Sequence, residues 1–340
     1  MGGISVHTRE LFREFKKRGH QVTVIPEADL PPLLAVEHYL ARLVRGFDVV
    51  NVQGTSNMSM ILAGLLASRG NVGATVCTSH GFSPPRWHRR GITREFMRGT
   101  LRRYGAVISI SQFVERRLSQ FFGGDPPRLA TVYDGVDERL FRPGVDPKGL
   151  KEEMGLGGKK VILYSGRLTE MKGVHHLLDA FAIASRGSSE LALVYCGKGV
   201  MEAELKSKAF ALGLEKKVLF AGPIPHFDLP RYYAICDVLA VPSTYENLGL
   251  APLEAMSSGK AVVASDTGGL PEVVGPRTGI LVPPGDAQAL SDALVRVAED
   301  SGLAARFGAA GRQAVLERFT LGRCADATIA VYRRALGDAA

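Results

Sequence analysis

Residues 242–272 read PSTYENLGLAPLEAMSSGKAVVASDTGGLPE, directly after the apolar run Val238-Leu239-Ala240-Val241. A short apolar run enters a loop of small and polar residues. A helical stretch follows through Leu253, Ala255 and Met256, and a second apolar run, Ala261-Val262-Val263-Ala264, closes the segment. That order is strand, loop, helix, strand, the repeating unit of a parallel α/β sheet. Two acids, Glu246 and Glu254, are separated by seven residues in this unit, the first in the loop with Asn247 and Gly249, the second on the flank of the helix. They therefore sit at the carboxyl end of a strand, where open α/β sheets bind ligands. Between them the backbone N–H groups of Asn247, Leu248, Gly249 and Leu250 form a helix start, a ready site for an anion. A carboxylate on either side accepts hydrogen bonds from hydroxyls at the two ends of one ligand. Phosphate in the middle with hydroxyls at both ends describes a nucleotide-diphosphate sugar. Taken alone, such a pair of acids reads first as a solvated pair around a loop; the strand and helix context weighs against that.

The same alternation runs outward through the chain. In the first half, Ile4 to Arg18 carries apolar residues at Ile4, Leu11 and Phe15 and stops at Gly19, which predicts a helix with a glycine cap. Strands are expected at Gln21–Ile25, Asp48–Gln53, Ala74–Ser79, Ala106–Ile110 and Leu129–Val132, and an apolar helix at Ser59–Ser68. From Val161 the run VILYSGRL reads as a buried parallel strand, with further strands at Leu191–Cys196 and Val218–Phe220. Pro143, Gly144, Pro147, Gly155, Gly157 and Gly158 cluster between Phe141 and Lys160 and suggest a hinge. With 340 residues, 46% of them hydrophobic, the chain can build two α/β domains with separate cores. No run spans a bilayer and no signal peptide is evident. Cys77, Cys196, Cys236 and Cys324 are far apart in mostly apolar contexts. They read as buried small residues in a reducing compartment and exclude a disulfide frame.

The segment from Pro242 to Glu272 closely resembles the retaining glycosyltransferases of the GT-B fold, often called glycosyltransferase family 4. The spacing of Glu246 and Glu254 matches their E-x7-E element, and Gly268, Gly269, Pro271 and Glu272 match the GG-x-PE loop after it. The resemblance covers nearly the whole chain and is densest from Val161 to Pro284. It implies an α/β protein of two Rossmann-like domains with a cleft between them: residues 1–145 as the acceptor domain and 146–320 as the nucleotide-sugar donor domain. Residues 321–340 would form a helix crossing back to the first domain. One departure stands out. The family opens with a central strand feeding a Gly-Gly turn, whereas this chain starts at the turn itself, Met1-Gly2-Gly3-Ile4. The first strand of the N-terminal domain is therefore expected to be absent, through a truncated start in preference to a rearranged sheet. Loss of a central strand is costlier than loss of an edge.

Further motifs carry chemistry. Gly166-Arg167-Leu168 follows a strand and Lys172-Gly173 precedes a helix. Arg and Lys one turn apart at a strand end can clamp a diphosphate and stabilise it as the leaving group, although two solvent-facing cations would look the same. In the resembling family these positions contact the phosphates, which assigns Arg167 and Lys172 that role. The resemblance further implies that Glu254 holds the donor ribose, that Glu246 faces sugar hydroxyls and that the amides of Asn247 to Leu250 line the phosphates. Gly222 to Phe227, including Ile224, would read the base through its backbone. Gly197-Lys198-Gly199 makes a tight turn after a strand near the same site, a weak signal by itself. Gly2 and Gly3 precede a helix, so their backbone can approach a phosphate or acceptor closely. His80-Gly81 ends the strand TVCTSH and matches the family's strand-terminal His-Gly, where the histidine orients the sugar; a capped loop histidine is the competing reading. His175 and His176 read as surface and packing residues.

No strand-terminal Asp-x-Asp and no His/Cys cluster is evident, so a metal site is not expected, and neither is a cofactor. The expected reaction is metal-independent transfer of a hexose with retention at the anomeric carbon, UDP or GDP being the donor nucleotide. Retention through a nucleophilic carboxylate and the same-face attack generally attributed to the family both remain open. The net charge is +8. Trp87 to Tyr104 carries Arg89, Arg90, Arg94, Arg98, Arg102 and Arg103 against the single acid Glu95, interleaved with Ile92, Phe96, Leu101 and Tyr104. Such a stretch suits an anionic membrane or an anionic, lipid-linked acceptor, or else an ordinary solvated helix face. The expected location is the cytoplasm, and the membrane reading of this stretch would place the enzyme peripherally on the inner face of the cell membrane. Without a stacking platform or recognition motif, nucleic acid is not an expected partner. Competing with the transferase are a GT-B epimerase or phosphorylase and a nucleotide-sugar-binding protein left inactive by the missing strand.

Overall fold

The structure is a computed structural model and describes residues 3–25, 44–54, 64, 72–81, 91–123, 128–187 and 190–337. Contacts divide the chain into two compact units, one of Thr8–Asp134 with Gly322–Ala340, the other of Met1–His7 with Gly135–Leu321. The division falls at Asp134/Gly135, ahead of the Pro/Gly cluster.

The first unit carries most of α1 (Gly3–Lys17), then β1 (Val49–Gln53), β2 (Ala74–Ser79), α2 (Gly91–Leu101), β3 (Ala106–Ser109), α3 (Gln112–Phe122) and β4 (Leu129–Thr131). The four strands are parallel, in the order β1-β2-β3-β4. β2 and β3 are buried at every residue, as their unbroken apolar and small side chains require, whereas β1 is half-buried throughout. The expected strand at Gln21–Ile25 does not form. The segment has no regular structure, and Val24 is 57% exposed. A strand exists only by sharing its ladder, and among the described residues β1 pairs with β2 alone. The expected helix at Ser59–Ser68 lies outside the described residues, apart from Gly64.

The second unit holds α4 (Leu150–Glu153), β5 (Lys160–Ser165), α5 (Val174–Gly187), β6 (Leu191–Cys196), α6 (Glu202–Ala211), β7 (Val218–Gly222), α7 (Leu229–Ile235) and β8 (Val238–Val241). It continues with α8 (Leu250–Ser257), β9 (Ala261–Ser265), α9 (Leu270–Val273), β10 (Gly279–Val282), α10 (Ala287–Glu299) and α11 (Ser301–Arg318). Its six parallel strands run β10-β9-β8-β5-β6-β7. The core lies between sheet and helices, with Ile162, Leu193, Tyr195, Val238 and Val263 of the strands against Leu177, Phe181 and Leu294 of the helices. From β5 the chain winds outward one way through β6 and β7. It then returns to β5's other side with β8 and winds outward through β9 and β10. The order therefore reverses between β5 and β8, and the loops after those two strands open side by side at the sheet's carboxyl edge, where open α/β sheets bind ligands. Helix α12 (Leu321–Leu336) is grouped with the first unit from Gly322 onward. There Tyr332 accepts from Asn51 Nδ2 at 2.6 Å and Asp326 accepts from Arg18 Nε at 3.1 Å.

All four cysteines are buried and free. No described helix is long and apolar enough to cross a membrane.

Candidate active site

The loop after β5 carries Gly166, Arg167 and Lys172; the loop after β8 carries Glu246 and Asn247 and ends at α8. Backbone bonds lock the two loops together: Thr244 donates from its amide to the Met171 carbonyl at 3.0 Å and from its hydroxyl at 3.1 Å. Gly173 makes this approach possible. It has φ +64°, and a Cβ there would lie 2.8 Å from the carbonyl carbon of Pro242, nearer still to its oxygen. A third loop, after β9, packs on the same place. Gly269 donates to the Glu246 carbonyl at 3.0 Å, and Gly268, with φ +61°, presses on that carbonyl as closely as Gly173 does on Pro242. The GG-x-PE loop is thus a backbone brace for Glu246.

Within this frame Lys172 Nζ pairs with Glu246 Oε2, and the Ser243 hydroxyl donates to the same oxygen at 3.4 Å. Arg167 differs. Its side chain is exposed, and its guanidinium makes no hydrogen bond or ion pair among the described residues. Tyr164 sits beneath both charges and donates to the Arg167 carbonyl at 2.6 Å. Burial first, and then the Glu246 carboxylate, push its phenol well above the usual range, with Arg167 opposing, so it stays a neutral donor. Gly249 starts α8 with φ +95° and no side-chain cap, and no acid occupies the first turn. The first-turn amides are the donors every helix start leaves over, and nearby Leu248 is buried while Asn247 and Leu250 are half-buried.

Glu254, one turn into α8, is only 7% exposed. Its Oε2 accepts from the buried Tyr233 hydroxyl at 2.7 Å, and His226 Nε2 lies 3.2 Å from Oε1. The Tyr233 phenol is pushed well above its usual range by burial and by this carboxylate. Sequence reading missed both partners. Tyr233 stands in the apolar pattern of LPRYYAI, and only a phenol on a buried face hinted at a buried acceptor. The strand ends close the floor: Gly166 donates to Cys196 at 2.9 Å and Gly197 to Gly222 at 2.7 Å. Ile224 is half-buried in the turn after β7, ahead of His226.

The remaining sequence-predicted residues belong elsewhere. His80 lies in the first unit at the end of β2. Its Nε2 is 2.7 Å from Gln53 Oε1, and its Nδ1 is 3.8 Å from the Asp134 carboxylate. Gly3 begins α1, and Gly2 lies outside the described residues. Of the basic stretch, Arg89, Arg90 and the Arg94 side chain also lie outside them. Arg98 is turned inward, bonded to Glu95 at 2.8 Å and to the Phe122 carbonyl, whereas Arg102 and Arg103 are exposed. Among the described residues no group of three or more His, Cys, Asp or Glu side chains is placed to hold a metal ion.

The profile described as "Glycosyl transferases group 1" matches residues 150–314, which contain every loop of this site, and that of "Glycosyltransferase Family 4" matches residues 26–140. A GDP-mannose-dependent alpha-(1-6)-phosphatidylinositol monomannoside mannosyltransferase of Mycolicibacterium smegmatis is 30% identical over 312 residues, covering 89% of this chain and 81% of the relative. The chain belongs to the group 1 glycosyltransferases. Like its family, it is an enzyme that transfers sugar residues. Solved structures agree on the fold. Anabaena HepE in complex with UDP superposes with a TM-score of 0.76 at 26% identity, over 86% of this chain and 80% of that one. A glycosyltransferase from Rickettsia africae superposes with a TM-score of 0.84 at 20% identity, over 99% of this chain and 96% of that one. The group 1 glycosyltransferase described here therefore has the GT-B architecture, and its α/β units are Rossmann-like.

Proposed function

We propose that this enzyme transfers a hexose from a nucleotide-diphosphate sugar to a glycan, lipid-linked or small-molecule acceptor, with retention at the anomeric carbon and without a metal ion. The observation that carries the reading is the switch point of the six-stranded sheet, where two carboxylates with separate partners flank an uncapped helix start beside the exposed cation of Arg167. Glu254 takes the ribose hydroxyls, the amides of Asn247 to Leu250 take the diphosphate, and Glu246, oriented by Lys172 and Ser243, takes hydroxyls of the sugar. As the bond from the anomeric carbon to the phosphate oxygen breaks, the electron pair leaves with the diphosphate, and Arg167 and Lys172 stabilise the growing charge. The acceptor oxygen bonds the same carbon on the same face, and its proton passes to the departing phosphate. The family resemblance gives His80 the role of orienting the sugar, and Gly2 and Gly3 that of a close backbone approach.

GDP-mannose is the first donor to try, because the mycobacterial relative is GDP-mannose-dependent. UDP-sugars come second, because HepE is described in complex with UDP. That relative acts on a phosphatidylinositol mannoside, which supports a lipid-linked acceptor and a cytoplasmic, peripheral position at the inner membrane face. Arg102 and Arg103, exposed at the end of α2, are suited to such a surface. The test is turnover of GDP-α-mannose and UDP-α-glucose with lipid-linked and soluble acceptors in excess EDTA, the product anomer being read by NMR. An α-linked product in EDTA is expected. A β-linked product, or turnover abolished by EDTA and restored by a divalent cation, overturns the mechanism.

A further inference from the structure

Glu254 is gripped from two sides. The wholly buried Tyr233 donates to one oxygen at 2.7 Å, and His226 Nε2 stands 3.2 Å from the other. An ionised carboxylate accepts at about four lone-pair sites and donates at none, so the imidazole is the donor and one acceptor site is left over on each oxygen. The two grips differ in setting: the His226 side chain is 21% exposed, whereas Tyr233 is wholly buried. One ring seats both donors. Phe141, fully buried, meets His226 edge-on at 5.0 Å between centroids and Tyr233 at 5.7 Å. The Phe141 carbonyl accepts from Ser257 Oγ at 2.6 Å and from Arg312 Nη1 at 3.1 Å, which ties it to the end of the helix that carries Glu254. The terminal torsion of a glutamate is broad and roughly two-fold. A single donor on one oxygen leaves the carboxylate able to turn, whereas donors on both oxygens fix its plane.

We propose that His226 is a positioning residue for the donor ribose: together with Tyr233 it fixes the Glu254 carboxylate so that each oxygen keeps one acceptor site for a vicinal diol. The proposal rests on the reading of Glu254 as the ribose residue. It makes the enzyme's preference for ribonucleotides depend on a side chain that need not touch the nucleotide.

Calorimetric titration of GDP and UDP, each against its 2′,3′-dideoxy counterpart, tests this on the full chain. His226→Ala is expected to weaken ribonucleotide binding about tenfold, the scale of one hydrogen bond to a charged group, and to leave dideoxynucleotide binding unchanged. His226→Gln, whose amide keeps an N–H donor, is expected to stay close to wild type. His226→Asn, which stops short of Glu254, should behave like alanine without emptying the space beside Phe141, and it carries the comparison if the alanine variant does not fold. A packing defect alone would weaken both nucleotide classes equally, and that result overturns the proposal, as does unchanged binding in both. Glu254→Gln separates the two layers. If it keeps wild-type discrimination between ribo- and dideoxynucleotides, the ribose reading of Glu254 is wrong and the proposal falls with it. If Glu254→Gln loses discrimination while His226→Ala keeps it, the role of His226 alone is refuted.

Discussion

Replacing Gly268 by alanine should damage the site from its backbone outward. At φ +61° an alanine pays the left-handed penalty, roughly 1–2 kcal/mol. Its Cβ would also lie 2.9 Å from the Glu246 carbonyl carbon and 3.3 Å from the Glu246 nitrogen, so backbone must move. Overpacking of that kind costs roughly 1–3 kcal/mol. The sum is about 3 kcal/mol, and for a unit of this size each kcal/mol lowers Tm by roughly 2–4 °C. A fall of roughly 6–12 °C is therefore expected. Two other glycines divide that total. Gly213 has φ +66° and nothing within 4 Å, so its alanine variant should lose only the conformational part. Gly275 has no left-handed φ and nothing within 4 Å, so its variant should match wild type or gain roughly 0.4–1 kcal/mol. Urea unfolding should rank them Gly275→Ala, wild type, Gly213→Ala, Gly268→Ala, from most to least stable. Only Gly268→Ala should also weaken nucleotide-sugar binding, because the displaced carbonyl belongs to Glu246. If Gly268→Ala is no less stable than Gly213→Ala, the brace between the two loops is not as tight as the structure has it.

Arg167→Ala should lower kcat on the order of 10²–10³-fold, the usual loss for one transition-state charge stabiliser. Its Tm should not change, because the guanidinium is exposed without a bonding partner among the described residues; parallel losses of Tm and kcat would assign Arg167 to the fold instead. Tyr233→Phe removes the buried donor to Glu254 and should cost about 1–3 kcal/mol in urea unfolding together with nucleotide affinity. An unchanged affinity would show that the phenol does not orient the carboxylate. Burial pushes the thiols of Cys77 and Cys236 from the usual 9.0 up to about 12. The folded chain therefore keeps these protons while the unfolded chain releases them. Their contribution to stability is full below pH 9 and is lost as pH climbs from 9 towards 12. Tm measured across that range should fall less steeply in Cys236→Ala than in wild type, and equal slopes would remove Cys236 from the alkaline transition.

Much of the donor unit is legible in the sequence because its strands are buried on both faces. Runs such as VILYS and LALVYC admit only that placement, and the loops after them then fall at the sheet's carboxyl edge. Glu246, Glu254, Arg167 and Lys172 are located by that logic before any coordinate is known. Partners distant in sequence are not legible. Tyr233 and His226 reach Glu254 through the tertiary path of α7 and the turn before it, and no spacing rule links those positions. β10 and α11 are hard to read because GILV is short and the apolar residues of α11 form no continuous stripe, whereas α10, also unassigned, carries a readable pattern in its Asp286 cap and the buried Leu290, Leu294 and Val297. The misassigned strand at Gln21–Ile25 shows the opposite limit. Its local pattern is strand-like, but local pattern supplies no ladder partner.

The most direct measurement is thermal shift with UDP, GDP and ADP on wild type, Glu254→Ala and Arg167→Ala. A ligand at about 100 times its Kd stabilises by roughly 2.7 kcal/mol, well within reach of the method. One nucleoside diphosphate should stabilise the wild type and lose that effect in both variants, which places the donor at the switch point of the six-stranded sheet. Stabilisation of equal size in all three proteins would contradict that location, and no response of the wild type to any of the three would contradict the donor site itself.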